Sequence, residues 1–531
     1  MENDADGHGG AVYTSGAMTF ESDASFVDNT SQTHGGGVYN DDADLLFQKR
    51  VTVDENSAQD GAGIYTQDGE LTFEDDVSFS NNKAEDRCGG LNNIDGDVTF
   101  KGKASFTGNK AKGSDGGGAC HESESKESFM TFEGPAFFMS NKAGHDGGGI
   151  HVFYGAATVM FKDDAVFIDN SSVTEGGGLS ADKGTVTFEK TATFKDNDAN
   201  YGGGVYAQYG RLFFKKSAAY KRNKSEAEGG GIYVNYAEAN FEGPAVFKDN
   251  RAQSDGGGLY NYGGDMIFEG EAEFIGNKSK DDGGGLANNA EKTLTFKKRV
   301  IFTENETDFD GGGLYVGAGA VDFEESVVFR NNVADYGGAA YNKDIIIFTK
   351  DVIFDGNSGK SEGGALYTMS SSGGTTFEDV VVFKDNKSGY GGALSSYDRA
   401  EVVFEKKVEF EGNTAEHHGG SIYLESSGTL ATFEKDVEIR DGSATYGGAI
   451  YVVSDAKEII FEKGVLLEGN TSDNCGGAIA SENQDLVVFK SPSKVVYKGN
   501  KDKDKDGSGS KCDNLCFGGS PIPPEGTDEC L

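Results

Sequence analysis

Tryptophan is missing from this 531-residue sequence, proline occurs six times, and no apolar run approaches the roughly 20 residues that a membrane-spanning helix needs. Insertion into a membrane through helices is therefore not expected. The start, MENDADGHGG, has neither the basic nor the apolar segment of a secretory leader, so no export signal is expected in the chain as written. Positive charge is also scarce. With 48 basic against 88 acidic side chains the formal net charge is −40, a field that repels phosphate backbones and anionic lipid, and nucleic acid is excluded as a partner.

Cysteine is sparse, at 88, 120, 475, 512, 516 and 530. In the repeat set out below, Cys88 and Cys475 lie fourteen coils apart, roughly 67 Å at about 4.8 Å per coil, whereas a disulfide needs Cα atoms within about 7 Å. Those two cannot bridge. Two alternatives stay open: Cys475 pairs with Cys512, Cys516 or Cys530 and staples the C-terminal segment to the last coil, or all six are small unpaired residues.

What the chain has in excess is glycine, 80 residues, and phenylalanine, 37, which suits strands and turns and not helix interiors. Their order is periodic. A Gly-Gly-small-aliphatic group recurs with its aliphatic residue at Val12, Val38, Ile64, Leu91, Ala119, Ile150, Leu179, Val205, Ile232, Leu259, Leu286, Leu314, Ala340, Leu366, Leu394, Ile422, Ile450 and Ile479, at spacings of 26 to 31. A phenylalanine follows each group, from Phe20 to Phe489, and six residues later comes a second apolar residue, usually Phe; these two columns take 31 of the 37 phenylalanines. Three residues further stands asparagine, including Asn82, Asn109, Asn141, Asn170, Asn197, Asn223, Asn250 and Asn277, with Gly442 the one departure. A position open only to Asn and Gly reads as a left-handed turn, and stacked amides can bond along the axis as a ladder.

Each repeat thus holds three short strand candidates, as in GGVY 36–39, ELTF 70–73 and DVSF 76–79. The expected fold is all-β, a single right-handed parallel β-helix of about 18 coils with a period of about 27 residues. It is expected to fill residues 1–500, a rod of roughly 85 Å at about 4.8 Å per coil, with 501–531 as a disordered tail. The aromatic columns read as a repeating interior, since one coil cannot bury its set alone.

GGAL at 363–366 with FDGN at 354–357, and GGAI at 447–450, resemble the repeat of the chlamydial polymorphic outer-membrane proteins, and the likeness runs along nearly the whole chain. That resemblance implies an extracellular or surface β-helix passenger that mediates adhesion. Two departures stand out. No C-terminal set of alternating strands suggests an outer-membrane barrel, and the first Gly-Gly group comes almost at once, so an N-terminal cap is expected to be missing and the uncapped ends to allow self-association.

Pectin-degrading enzymes share the fold, so catalysis has to be read from residues. The seven histidines, at 8, 34, 121, 145, 151, 417 and 418, do not form an Asp-Asp-His set with a basic triplet in the sequence, and no catalytic residue is expected. A carbohydrate-active enzyme or carbohydrate-binding module acting on acidic polysaccharide is the alternative. Binding candidates lie outside the coil. Tyr follows the aliphatic residue in eleven of eighteen coils, including Tyr206, Tyr233, Tyr260, Tyr315, Tyr341 and Tyr367, and strand alternation turns it outward, giving either a platform for glycans or surface proteins or a merely structural stack. Glu (eleven coils) or Lys (five) after the first Phe, with Asp60, Asp146, Asp255, Asp282 and Asp310, forms an acidic surface expected to prefer salt and to hold calcium only weakly and non-specifically. No metal centre or cofactor is expected. Seven Asn-x-Ser/Thr sequons all fall on the asparagine column and read as by-products of turn composition.

Overall fold

The computed structural model describes residues 3–124, 126–369, 373–503 and 514–517. Among them there is no α-helix, hence no helix long and apolar enough to cross a membrane, and strands of two to five residues pair in parallel with the same strand one coil away. The chain is a parallel β-solenoid divided into two compact units, Met1–Gly270 and Glu271–Leu531. In each unit three sheets run along the coils, one built on the aliphatic position, as Ile64↔Leu91, and two on the phenylalanine columns, as Phe73↔Phe100 and Phe79↔Phe106.

A fourth, shorter sheet was not anticipated. In the first unit it consists of two-residue strands such as Lys83–Ala84 after the asparagine, and in the second of four- or five-residue strands such as Ser358–Glu362, ending in the two-residue strand Lys501–Asp502.

The phenylalanines make the core. Within a column successive rings stack in parallel, Phe73 on Phe100 at 5.2 Å and Phe79 on Phe106 at 4.7 Å between centroids, while the two columns meet edge to face, Phe73 to Phe79 at 6.0 Å and 83°. Each ring is fully buried, worth roughly 1.5–3 kcal/mol for its area, and both contact geometries suit the ring quadrupole. Glycine serves two ends in its column. Gly116 holds φ +67, whereas a Cβ on Gly118 would lie 2.4 Å from the Gly149 carbonyl oxygen of the next coil, so only glycine permits that approach.

The asparagine ladder forms, but its conformational reading is corrected. The left-handed residue is the one before each asparagine, as at Asn81, Asp169 and Asp196 with φ of 53 to 56°. Asparagine is selected instead for its amide: Asn197 Nδ2 donates to Asn223 Oδ1 at 2.9 Å and to the Phe167 carbonyl at 3.0 Å, while its Oδ1 accepts from Asn170 N and Nδ2, each at 3.0 Å. At Gly442 only the backbone bond to Asn470 Oδ1 remains, at 2.9 Å.

The C-terminal segment is corrected in part. Leu515–Phe517 is a strand that pairs with Ile479–Ser481, and Cys516 is bonded to Cys475. Cys512, Cys530 and the rest of 504–531 lie outside the described residues. A second disulfide, Cys88–Cys120, was not foreseen.

Candidate functional site

Number each coil from its aliphatic residue as position 0. The tyrosines at position +1 do leave the phenylalanine interior, but they are not a surface. Tyr206, Tyr233, Tyr260, Tyr315, Tyr341 and Tyr367 are only 3 to 9% exposed. Rings of neighbouring coils close on one another, Tyr206 on Tyr233 at 5.2 Å and Tyr341 on Tyr367 at 5.1 Å. The polar edges are held as well: Asn235 Nδ2 donates to the Tyr206 hydroxyl at 2.9 Å and Lys343 Nζ to that of Tyr315 at 3.1 Å. Burial raises the pKa of these phenols far above the ordinary value. The expectation of an outward binding face at this column is overturned.

The aromatic surface lies further along the same strands. Tyr209 and Tyr236, at position +4, and Tyr262, at +3, are 57, 51 and 41% exposed; +4 holds Asp42, Asp68, Asp95 and Lys183 in other coils and a third, less exposed tyrosine, Tyr154, in another. Tyr209 and Tyr236 stack at 5.7 Å and 10°, and Tyr236 meets Tyr262 edge on at 5.2 Å. Tyr209 and Tyr236 hold left-handed backbone, φ 52 and 50°, as Tyr154 does at 72°, a conformation that bulky L-residues avoid. The next coil puts Gly263 there, and a Cβ on it would stand 2.4 Å from Tyr236 Cε1, so the glycine clears room for that ring. Arg211 and Glu238, paired at 3.4 Å, follow on the exposed strand. The signal in the sequence was QYG, NYA and NYG in three consecutive coils, which became meaningful only once +4 was known to be a left-handed turn.

Position −4 carries a second ladder. One carboxylate oxygen accepts the backbone N–H of the equivalent residue in the next coil: Asp60 from Arg87 at 3.1 Å, Asp115 from Asp146 at 3.1 Å, Asp146 from Glu175 at 3.0 Å, and in the second unit Asp282 from Asp310 at 3.3 Å. These acids are therefore structural in the first instance. Their crowding shows in the second unit, where burial and the Asp310 charge push Asp282 up to about 6, and burial pushes Asp310 up to about 6 against the nearby Lys343.

Three of the acids meet histidines that lie scattered in the sequence, and His34 Nδ1 is 3.1 Å from Asp60 Oδ2. His145 Nδ1 lies 2.9 Å from Asp146 Oδ2 and 3.4 Å from Asp115 Oδ1, and His151 Nδ1 lies 3.6 Å from Asp115 Oδ2. Asp115, His145 and Asp146 present ligand atoms within 4.8 Å of one another, close enough to share a metal ion. Burial, reinforced by Asp146, pushes neighbouring Glu175 up to about 7. His121, by contrast, is a fully buried structural group: Asn93 Nδ2 donates to its Nδ1 at 2.8 Å, it faces the Ser128 carbonyl at 3.1 Å through Nε2, and burial lowers it to about 4.

From Glu74 to Glu242 the charged column after the first phenylalanine alternates in sign from coil to coil, and lysines pair with glutamates, Lys101 with Glu74 at 2.8 Å, Lys162 with Glu133 at 3.2 Å and Lys215 with Glu189 at 3.4 Å, so the expected repulsion is relieved there. In the second unit Glu378, Glu405, Glu434 and Glu462 follow one another as like charges.

At the far end of the second unit a cleft of about 600 Å³ is lined by His418, Tyr446, Tyr451, Glu482 and Cys516 among others. Burial lowers His418 to about 4, with His417 adding to the effect.

No curated protein and no solved structure is significantly similar to this chain. Residues 351–369 and 464–482 match the Chlamydia polymorphic membrane protein repeat. Both stretches begin in the second phenylalanine strand, pass through an asparagine of the ladder and end just past the Gly-Gly-aliphatic group, which are the elements that build every coil. The chain is a parallel β-helix protein that carries the Chlamydia polymorphic membrane protein repeat.

Proposed function

We propose that the chain is a non-enzymatic surface module, passenger-like in architecture, that adheres to glycans through Tyr209, Tyr236 and Tyr262. The observation that carries this reading is the exposed tyrosine strip itself, two members of which hold a backbone conformation that costs a bulky residue stability. Strain of that kind is retained where a side chain is needed for something other than folding. A flat ring with a polar tip is the chemistry that stacks on a sugar face. Surface location is supported by the matched repeat, whose family name places it at a membrane.

The test is binding of the purified chain to a panel of glycans and cell surfaces, beside the triple variant Tyr209→Ala, Tyr236→Ala, Tyr262→Ala. Binding that disappears in the variant while the β-sheet circular dichroism is unchanged is the expected result. Equal binding by both chains refutes the strip as the adhesive face, and release of shortened sugar products from a bound polyuronate refutes the non-enzymatic reading.

A further inference from the structure

We infer that Asp115, His145, Asp146 and His151 form a binding site for a borderline divalent cation of the zinc type, built across two successive coils of the first unit. Asp115 and Asp146 both occupy position −4 of their coils, and the β-helix register sets them one above the other although 31 residues separate them. His145 and His151 flank Asp146 in sequence, at −5 and +1, and return to the same locus because the Gly-Gly turn reverses the chain between them.

The carboxylates are already aligned by the backbone. Asp115 accepts one amide through Oδ1 and keeps Oδ2 toward His151; Asp146 likewise accepts through Oδ1 and keeps Oδ2 toward His145. The site thus offers carboxylate oxygens and imidazole nitrogens in a first shell whose orientation does not depend on the ion.

A second observation points to a ligand independently. His151 replaces the tyrosine of position +1 and is 3% exposed, with its Nδ1 3.6 Å from Asp115 Oδ2, longer than a hydrogen bond. An imidazole held among acidic side chains and largely out of water gains from a cation that it and the carboxylates can bind together. Its ring rests on Phe153 at 5.4 Å, which fixes it with Nδ1 toward the carboxylates. Asp115 is further braced by the disulfide that ties its own coil to the preceding one, since Cys120 Sγ lies 3.5 Å from the Asp115 carbonyl oxygen.

The donor set selects the ion. Two imidazoles with two carboxylates suit zinc and its first-row neighbours, while calcium takes six to eight oxygen ligands and has no use for imidazole nitrogen. The acid pair Asp282 and Asp310 of the second unit shares the ladder geometry, but its coils carry Ala287 and Tyr315 where His151 stands, so it serves as an internal control.

The test is calorimetric titration of the whole chain with zinc and with calcium, together with the visible absorption of added cobalt(II) as a report on nitrogen coordination. The expected result is one zinc per chain at micromolar or tighter affinity, no comparable calcium binding, and at least a tenfold loss in His145→Gln and in His151→Gln, with Asp282→Asn unaffected. His145 is more than half exposed, so its variant tests the site without endangering the fold. Zinc binding unchanged in both histidine variants, or equal affinity for calcium, overturns the proposal, as does the absence of an anomalous zinc peak between His145 and Asp146 in crystals grown with zinc.

Discussion

Replacing Asn197 with alanine tests whether the amide ladder, more than the phenylalanine core, sets the local stability of a coil. The change removes no core carbon, since the Asn197 side chain lies outside both phenylalanine columns. It deletes four hydrogen bonds: Nδ2 to Asn223 Oδ1 and to the Phe167 carbonyl, and Oδ1 from Asn170 N and Asn170 Nδ2. The Asn170 side-chain amide keeps a second acceptor, the Phe138 carbonyl at 2.9 Å, and Asn223 Oδ1 keeps the Asn197 backbone N–H at 3.1 Å. The Asn170 backbone N–H loses the acceptor it has in the ladder. At about 1 kcal/mol per buried bond, plus about 1–2 for the stranded donor, the loss is about 5 kcal/mol. Because a solenoid opens locally, the measurement is hydrogen exchange by mass spectrometry, read peptide by peptide. Protection should fall over the coils that contain Asn170, Asn197 and Asn223 and hold elsewhere in the first unit. Asn197→Asp, which keeps shape but turns the Nδ2 position into an oxygen facing two acceptors, should be at least as damaging at neutral pH. A loss below about 1 kcal/mol for alanine refutes the reasoning.

Tyr236→Asn should stabilise the first unit by about 0.5–1 kcal/mol in urea denaturation, because asparagine tolerates the left-handed backbone that tyrosine resists, while abolishing glycan binding; a destabilised variant sinks the claim of stored strain. Asp282 has its folded pKa raised from 3.8 to about 6, so its neutral form is the one the fold prefers. The contribution is therefore complete below about pH 4 and is lost as pH rises through 6, and Asp282→Asn should gain about 1–2 kcal/mol at pH 8, discounted for partial exposure, with no gain at pH 4. Gly442→Asn should not repair the ladder, since a Cβ there would meet the Gly448 carbonyl oxygen at 2.5 Å; the thermal midpoint is expected to fall, and a rise would show that the backbone can withdraw. Reducing Cys475–Cys516 should release residues 514–517 from the last coil, seen as proteolytic cleavage before Leu515 in the reduced chain only.

The parts of the fold that could be read from the residues are those that every coil repeats. Phe73, Phe100 and Phe132 announce a column because each follows a Gly-Gly group and stands six residues before a second phenylalanine, Phe79, Phe106 and Phe138, and a wrong guess about one coil is corrected by the others. The tyrosine column was assigned to the proper side of the strand and still misjudged, because alternation says which way Tyr206 points and not that the −4 segment closes over it. What escaped notice occurs once. Cys88 at −3 and Cys120 at +1 of the following coil meet only after coils of 28 and 31 residues are put into register, and the same holds for Asp115 with His145 and His151. Tyr209 and Tyr236 were visible as residues but not as a strip, since nothing in composition marks +4 as a left-handed turn.

The ladder also decides where this chain can be made. Asn170, Asn223, Asn277, Asn305, Asn386 and Asn470 each begin an Asn-x-Ser/Thr sequence and are completely buried, and an attached sugar would occupy the nitrogen through which each amide donates. In a secretory pathway that glycosylates nascent chains, those nitrogens are offered to the transferase before any coil has closed, and each sugar added then removes one rung permanently. A cell without that machinery gives the intact solenoid, and a eukaryotic secretion host gives a product whose sugars report how many coils failed to close in time.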